Sequence, residues 1–229
     1  MSNAMNLAAI TLTQLVSPGT TVVYAAEVNV IDPWTLRIPY GDPERAMTTS
    51  VVNAQLSEYY GLPTFGYSGC ADSKLPDAQA GAEVMMLTLM SSLSGINLIH
   101  DCGYLASGTV GSLEMAVICD EIISIVSRIV RGFDVNNETL AVDVIREVGP
   151  KGSFLAHKHT ARFMRREIFV PKLFDRSSVE EWKKAGNKDI GRIARERAIR
   201  ILKEHHPEPL SEDTQREIKE ILKQAQKEL

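Results

Sequence analysis

Short uncharged runs rich in β-branched residues alternate with capped helical stretches through the first two-thirds of the chain, and this alternation restricts the fold most strongly. Thr20–Ala25 (Thr-Thr-Val-Val-Tyr-Ala) carries no charge, which suits a strand buried on both faces. Thr64–Ser68 and Asn97–Asp101 read as a second and third strand, and Ser153–Ala156 as a short fourth. Helices with explicit starts and stops lie between them. Asn6–Val16 is apolar and ends at Ser17-Pro18-Gly19. Asp42-Pro43-Glu44 supplies an N-cap, a proline at the first helical position and a carboxylate against the positive helix end, for a helix running to Tyr60 and stopped by Gly61. Leu75-Pro76-Asp77 opens a helix that ends near Gly95. Ser112 caps a long one to Arg131, and Asn137 caps one to Val148, ended by Gly149-Pro150. Strands separated by helices predict βα units and a parallel sheet, with ligand sites at the carboxyl ends of the strands. A closed eight-stranded barrel takes about 250 residues. Here the end of the chain reads instead as two amphipathic helices, Asp189–His205 and Ser211–Leu229, joined by His206–Pro209. The expected fold is therefore α/β, an incomplete barrel or an open sheet of three to four parallel strands followed by C-terminal helices.

Charge follows the same division. The first hundred residues hold three basic and eight acidic side chains, whereas the tail is dense in interspersed charges. Residues 5–176 are thus read as the barrel-like domain and 177–229 as a solvated helical extension. Ser2-Asn3-Ala4 before Met5 reads as an expression scar, and 1–4 are set aside. A formal charge of −4 argues against a nucleic-acid partner. No apolar run approaches the roughly 18–20 residues of a membrane span, and the start lacks a secretory pattern. Three cysteines without a CxxC pair point to a reducing, cytoplasmic setting and away from structural zinc.

The chemistry-bearing residues cluster after the second and third strands. Tyr67-Ser68-Gly69-Cys70-Ala71-Asp72-Ser73-Lys74 packs a hydroxyl, a thiol, a carboxylate and an ammonium before a helix start. The plain alternative is an ordinary capped loop with Asp72 and Lys74 solvated. Cys70 lacks a histidine nearby in sequence to activate it as a nucleophile. His100-Asp101-Cys102-Gly103-Tyr104 places a histidine at a strand's carboxyl end, suited to substrate binding or proton transfer, or else a core histidine bonded to a carbonyl. Zinc on His100 and Cys102 would need a third ligand from Asp72, Cys70 or beyond. Tyr24, Glu27, Tyr40, Phe65 and Tyr67 offer a cation–π cage for a quaternary ammonium, or plain packing. His157-Lys158-His159-Thr160 with Arg162, Arg165 and Arg166 suits phosphate or an acidic partner, or a solvated helix face. Gly103, Gly108 and Gly111 fit neither phosphate-loop pattern.

Several short motifs recur in a fixed order: Leu15-Val16-Ser17-Pro18-Gly19-Thr20, Tyr60-Gly61-Leu62-Pro63, Ala71-Asp72-Ser73-Lys74 with Pro76–Gly81, Gly95–Asp101 with Gly103, Asp120-Glu121-Ile122, Val148-Gly149-Pro150 and His159-Thr160. In this combination the chain resembles the trimethylamine methyltransferase (MttB) family of corrinoid-dependent methyltransferases, over their C-terminal half. The resemblance implies a (β/α)8 TIM barrel of which this chain is a C-terminal half-barrel, with a methylated amine bound at the carboxyl-end face. It implies methyl transfer from that amine to the Co(I) of a cobalamin (corrinoid) carried by a partner protein, with no cofactor or metal in the chain itself. Founding members use pyrrolysine in the turn that corresponds to Ser68–Asp72. Standard residues there favour the branch that demethylates quaternary amines such as betaines. On that basis Tyr24, Tyr67, Ser68, Cys70, Asp72, Lys74, His100 and Asp101 are the expected substrate-binding residues. A non-catalytic half-barrel that pairs with a complementary N-terminal half, or self-associates as a homo-oligomer to cover its open sheet, is the alternative.

Overall fold

The computed structural model describes residues 1–228. It divides into two compact units, Met1–Ala198 and the segment from Ile199 onward. The first unit opens with α1 (Ser2–Val16), which takes in Ser2-Asn3-Ala4. Next come α2 (Pro43–Ala46), a π-helical turn over Met47–Val52, and α3 (Asn53–Tyr60). Strand β1 (Phe65–Tyr67), α4 (Ala78–Leu93) and β2 (Leu98–His100) form a βαβ unit. A hairpin of β3 (Tyr104–Leu105) and β4 (Val110–Gly111) leads into α5 (Leu113–Arg131). Short helices follow: α6 (Asn137–Leu140), α7 (Val142–Val148), α8 (Lys158–Glu167) and α9 (Val179–Lys184). Helix α10 (Ile190–Glu204) begins in this unit, and α11 (Glu212–Glu228) lies in the other. Along α11 the apolar side chains Ile218, Ile221 and Leu222 are exposed. The last residue of the expected Ser211–Leu229 helix lies outside the described residues.

The helix starts follow the local chemistry. Asp42 accepts the Arg45 amide with Pro43 behind it, Asp77 accepts the Ala80 amide at 3.0 Å, and the Ser112 hydroxyl accepts that of Met115 at 3.1 Å. Gly61 (φ 64°) ends α3 in the left-handed conformation that an L side chain rarely adopts. Helices α4 and α5 bury Ala80, Val84, Met115, Ile118, Cys119, Ile122 and Val126 against one another, with Ala71, Leu105 and Ala194 closing the core.

The parallel pair has the register Phe65–Leu98, Gly66–Ile99 and Tyr67–His100. Alternation puts Phe65, Tyr67, Leu98 and His100 on one face. Gly66 faces the other way, where a Cβ would lie 3.1 Å from Ile96 Cγ2. The first face is open: Leu98 is 51% exposed.

The fold is mixed α/β with a parallel strand pair, and the structure corrects the expected strand set. Thr20–Ala25 contributes one parallel bridge, Tyr24 to Thr64, instead of a strand. Tyr24 makes both ladder bonds there, to Pro63 and Phe65. The next two amides are then diverted to side chains: Ala25 donates to Asn6 Oδ1 and Ala26 to Asn53 Oδ1. Ser153–Ala156 is a turn. The Ser153 hydroxyl takes the Leu155 amide and the Phe154 carbonyl takes that of His157, so no ladder partner is left. The helix expected from Asn137 to Val148 is capped instead by Asn136 and breaks at Ala141 (φ 52°).

Candidate functional site

The loops leaving Tyr24, β1 and β2 emerge from the same end of the strands, and their polar groups gather there. Asp72 is the organiser. Its carboxylate accepts the amides of Tyr40 (2.8 Å) and Gly41 (2.9 Å) and the Ser107 hydroxyl (2.7 Å), tying three loops together. Glu83, on α4, accepts the Asp72 amide at 2.7 Å and holds the turn from behind. Asp72 is therefore committed to the framework. Lys74 sits apart. It lines a hollow of about 500 Å³ with Glu114, Arg192 and Arg195, which no other predicted site residue borders.

His100 is where the site offers an unused valence. Its ring stacks on Phe65 (centroids 4.2 Å apart, interplanar angle 18°) and meets Tyr67 at 4.5 Å. Nδ1 is 2.7 Å from Asp101 Oδ1, so this nitrogen carries the proton and the carboxylate fixes the ring. Nε2 is buried and makes no hydrogen bond. Asp101 has φ 71°, a conformation costly for a non-glycine residue, and the neighbouring carbonyl explains how it is held: His100 O accepts both the amide and the hydroxyl of Ser68 at 3.0 Å. Gly69 is required beneath it. A Cβ there would lie 2.5 Å from both Asp101 O and Cys102 Cα.

The aromatic cage exists, but the protein fills it with its own cation. The Arg45 guanidinium lies 3.9 Å from the Tyr40 ring centre and 4.6 Å from that of Tyr67, is paired with Glu27 at 2.8 Å, and donates to Asn29. Arg45 is 1% exposed. Tyr67 titrates well above an ordinary tyrosine because partial burial disfavours its charged form and the Glu27 carboxylate acts in the same direction. Tyr24 is elsewhere. Its hydroxyl donates to Asn3 Oδ1 at 2.9 Å and its ring contacts Tyr60, with its own titration raised chiefly by burial. The structure thus brings together Tyr67, Ser68, His100 and Asp101, sets Asp72 behind them, and leaves Tyr24 and Lys74 apart. Sequence reading missed Arg45, Glu83 and Ser107. Arg45 carried a signal, as one of three basic residues in the first hundred, directly after a cap that buries its helix turn.

A family model, trimethylamine methyltransferase (MTTB), matches residues 1–229. The chain belongs to the trimethylamine methyltransferase family. Trimethylamine methyltransferase MttB of Desulfitobacterium hafniense (strain DSM 10664 / DCB-2) is 38% identical over 226 residues, covering 99% of this chain and 45% of the relative. The MttB of Methanosarcina thermophila is 37% identical over 211 residues, 92% of this chain and 43% of the relative. Glycine betaine methyltransferase of D. hafniense (strain Y51) is 35% identical over 230 residues, 100% of this chain and 48% of the relative. This chain therefore spans a little under half the length of the curated family members it matches. No helix among the described residues is long and apolar enough to cross a membrane.

Other side chains of this family member are accounted for locally. Among the described residues no three His, Cys, Asp or Glu side chains group to hold a metal ion. The basic stretch at α8 is matched by acids: Arg162 pairs with Glu138, Arg166 with Asp134, and His157 lies 3.5 Å from Glu147. Cys70 is buried, and that burial pushes its thiol up to about 12. Cys102 is exposed, and hydrogen bonds from Cys119 and Ser68 hold it below the usual thiol range. Iodoacetamide at neutral pH should therefore label Cys102 first and leave Cys70 unmodified until the chain unfolds, as peptide mass mapping would show. Equal labelling of both would contradict this arrangement.

Proposed function

We propose that this chain forms the C-terminal half-barrel of a methyltransferase that binds a methylated amine or betaine at the carboxyl ends of its strands and passes one methyl group to a corrinoid carried by a separate protein. The observation that carries the site is the buried Nε2 of His100, which has no partner, on a ring fixed by Asp101 and two aromatic rings. A buried nitrogen left unsatisfied costs roughly 1–3 kcal/mol, a cost that a bound ligand recovers. A tertiary ammonium presents an N–H to that nitrogen. A betaine presents a carboxylate, to which a protonated ring would donate instead.

The corrinoid, when delivered, supplies the nucleophile that takes the methyl group. The chain's own part is orientation and exclusion of water. Phe65, Tyr67 and Leu98 offer an apolar wall beside His100, and the Arg45–Glu27 pair keeps the Tyr67 ring in one place. A quaternary substrate leaves as a neutral amine, so no base is needed on that route. Standard residues in the Ser68–Asp72 turn favour a quaternary amine, and the likeness to a glycine betaine methyltransferase is in keeping with that.

Titration calorimetry of the chain, alone and co-produced with an N-terminal half from a family member, against glycine betaine and trimethylamine tests the reading. Binding should weaken about tenfold to a hundredfold in His100→Ala, the loss of one hydrogen bond to a charged group. Unchanged affinity in that variant, or no heat from any amine with both halves present, would overturn the assignment.

The open face favours a second reading, in which the half-barrel serves as an assembly module. Leu98 on β2 and Val23 beside the Tyr24 bridge expose apolar surface at a sheet to which no further strand is added among the described residues. Mass in dilute solution decides this: a stable monomer of about 25 kDa, the mass of one chain, would speak against a self-associating module.

A further inference from the structure

The methyl-transfer reading uses none of the three cysteines, and two of them are arranged as a working pair. Cys102 follows β2 and Asp101, is exposed, and has its sulfur 3.8 Å from the Ser68 hydroxyl. Cys119 is on α5 and is 1% exposed. It is near enough to Cys102 for the two groups to bear on each other's titration, Cys102 being lowered and Cys119 raised. The loop that carries Cys102 is pressed against the helix that carries Cys119. Gly103 (φ 89°) lies so near α5 that a Cβ there would come within 3.0 Å of Ala116 Cβ, one helical turn before Cys119. One sulfur is open to reagents and its neighbour is closed to them. That asymmetry separates an attacking thiol from a resolving thiol.

We infer that Cys102 and Cys119 form an oxidant-responsive dithiol, which a hydroperoxide converts into an intrachain disulfide tying the loop after β2 to α5. The Cys102 sulfur, as thiolate, attacks the terminal peroxide oxygen. The S–O bond forms, the O–O bond breaks, and the departing oxygen takes a proton and leaves as an alcohol or as water. The Cys119 sulfur then attacks the sulfenic Cys102 sulfur and gives up its proton. The S–S bond forms, the S–O bond breaks, and water leaves. In sum two thiols lose two hydrogens and two electrons, and the hydroperoxide is reduced. The lowered titration of Cys102 supports its role as the attacking group.

The bond would act on the candidate site. Ser68 holds the His100 carbonyl and also lies against Cys102, and Asp101, which orients the His100 ring, is the residue just before Cys102. Drawing Cys102 toward α5 should loosen the Ser68 contact and pull on Asp101, so the oxidised chain should hold the His100–Asp101 pair less firmly. The inference itself does not depend on the methyl-transfer reading, because its readout is a covalent mass.

The test is hydrogen peroxide added to the intact native chain, followed by blocking of remaining thiols with iodoacetamide and tryptic mapping. No Lys or Arg lies between Leu75 and Arg128, so Cys102 and Cys119 share one peptide, while Cys70 lies on Ala46–Lys74. The expected result is a Leu75–Arg128 peptide that has lost two hydrogens, takes no iodoacetamide, and regains both thiols on treatment with dithiothreitol. Cys102→Ser should abolish the change, and because Cys102 is exposed this variant leaves the core intact. Overturning results are a peptide that remains doubly alkylated after excess peroxide, a Cys102 driven to sulfinic or sulfonic acid without an S–S bond, or a disulfide-linked dimer through Cys102.

Discussion

Replacing Arg45 with methionine should cost about 3 kcal/mol of folding stability and lower the melting temperature by roughly 6–12 °C for a domain of this size. The guanidinium is buried between two aromatic rings and joined to Glu27, and three effects are lost with it. Each ring contributes a cation–π attraction of about 1–2 kcal/mol in a desolvated setting. The Glu27 carboxylate loses its counter-charge, although its partial exposure lets water recover part of that loss. Asn29 loses its donor, so the loop after Tyr24 is released from α2. Methionine fills much of the volume, which confines the effect to charge and hydrogen bonding. Urea unfolding with an unchanged slope would give the number. The double variant with Glu27→Gln should lose less than the sum of the two single variants, because the charges are removed together. A loss below about 1 kcal/mol for Arg45→Met would mean that the cage does not depend on its internal cation, a result at odds with the usual cost of breaking a buried pair.

A comparable loss is expected from Gly69→Ala, by a different cause. The added methyl group would sit 2.5 Å from two backbone atoms of the neighbouring loop, Asp101 O and Cys102 Cα, neither of which swings aside as a flexible side-chain end does. The loops after β1 and β2 would have to part, which breaks the Ser68 bonds to His100 O and the Tyr104 amide bond to Gly69 O. Overpacking of this kind costs about 1–3 kcal/mol or more, and here it falls on the candidate site, so ligand binding should fail together with stability. Gly81→Ala is the internal control. It lies in α4, a Cβ there meets nothing within 4 Å, and the helix should gain about 0.5–1 kcal/mol. If Gly69→Ala were as stable as the parent, the close approach of the two loops would be wrong.

Helix starts were readable from sequence because a cap is a local contract. Asp42, Asp77 and Ser112 each bond an amide three residues on, and nothing distant has to be known. Strands were less readable because a strand exists only by its partner. Thr20–Ala25 has the right side chains, yet two asparagines from elsewhere in the chain take the amides that a ladder would need. Ser153–Ala156 fails more simply, as its own serine closes a turn. The candidate site shows the same division. His100 and Asp101 are neighbours, and their joint placement at a strand end could be anticipated, as could the gathering of aromatics around Tyr67. That a buried arginine already occupies the space between Tyr40 and Tyr67 depends on contacts across many residues of sequence, which spacing does not encode. The role of Asp72 as a tie among three loops was hidden for the same reason.

The π-helical turn over Met47–Val52 decides where two of these ties can point. Before it, Arg45 reaches the aromatic cage at the strand ends; after it, Asn53 donates to the Phe65 carbonyl and accepts the Ala26 amide beneath the sheet. A π-turn holds one more residue than an α-turn, so each of its residues turns less, and a surplus residue is taken up inside it while the helix on either side keeps its phase. Deleting a single residue between Met47 and Val52 should relax this stretch to plain α-helix while leaving Arg45 and Asn53 close to their present angles about the axis. The irregularity therefore acts as a slack link: it takes up one surplus residue in a widened turn, so that a rod one residue too long still keys into both sockets.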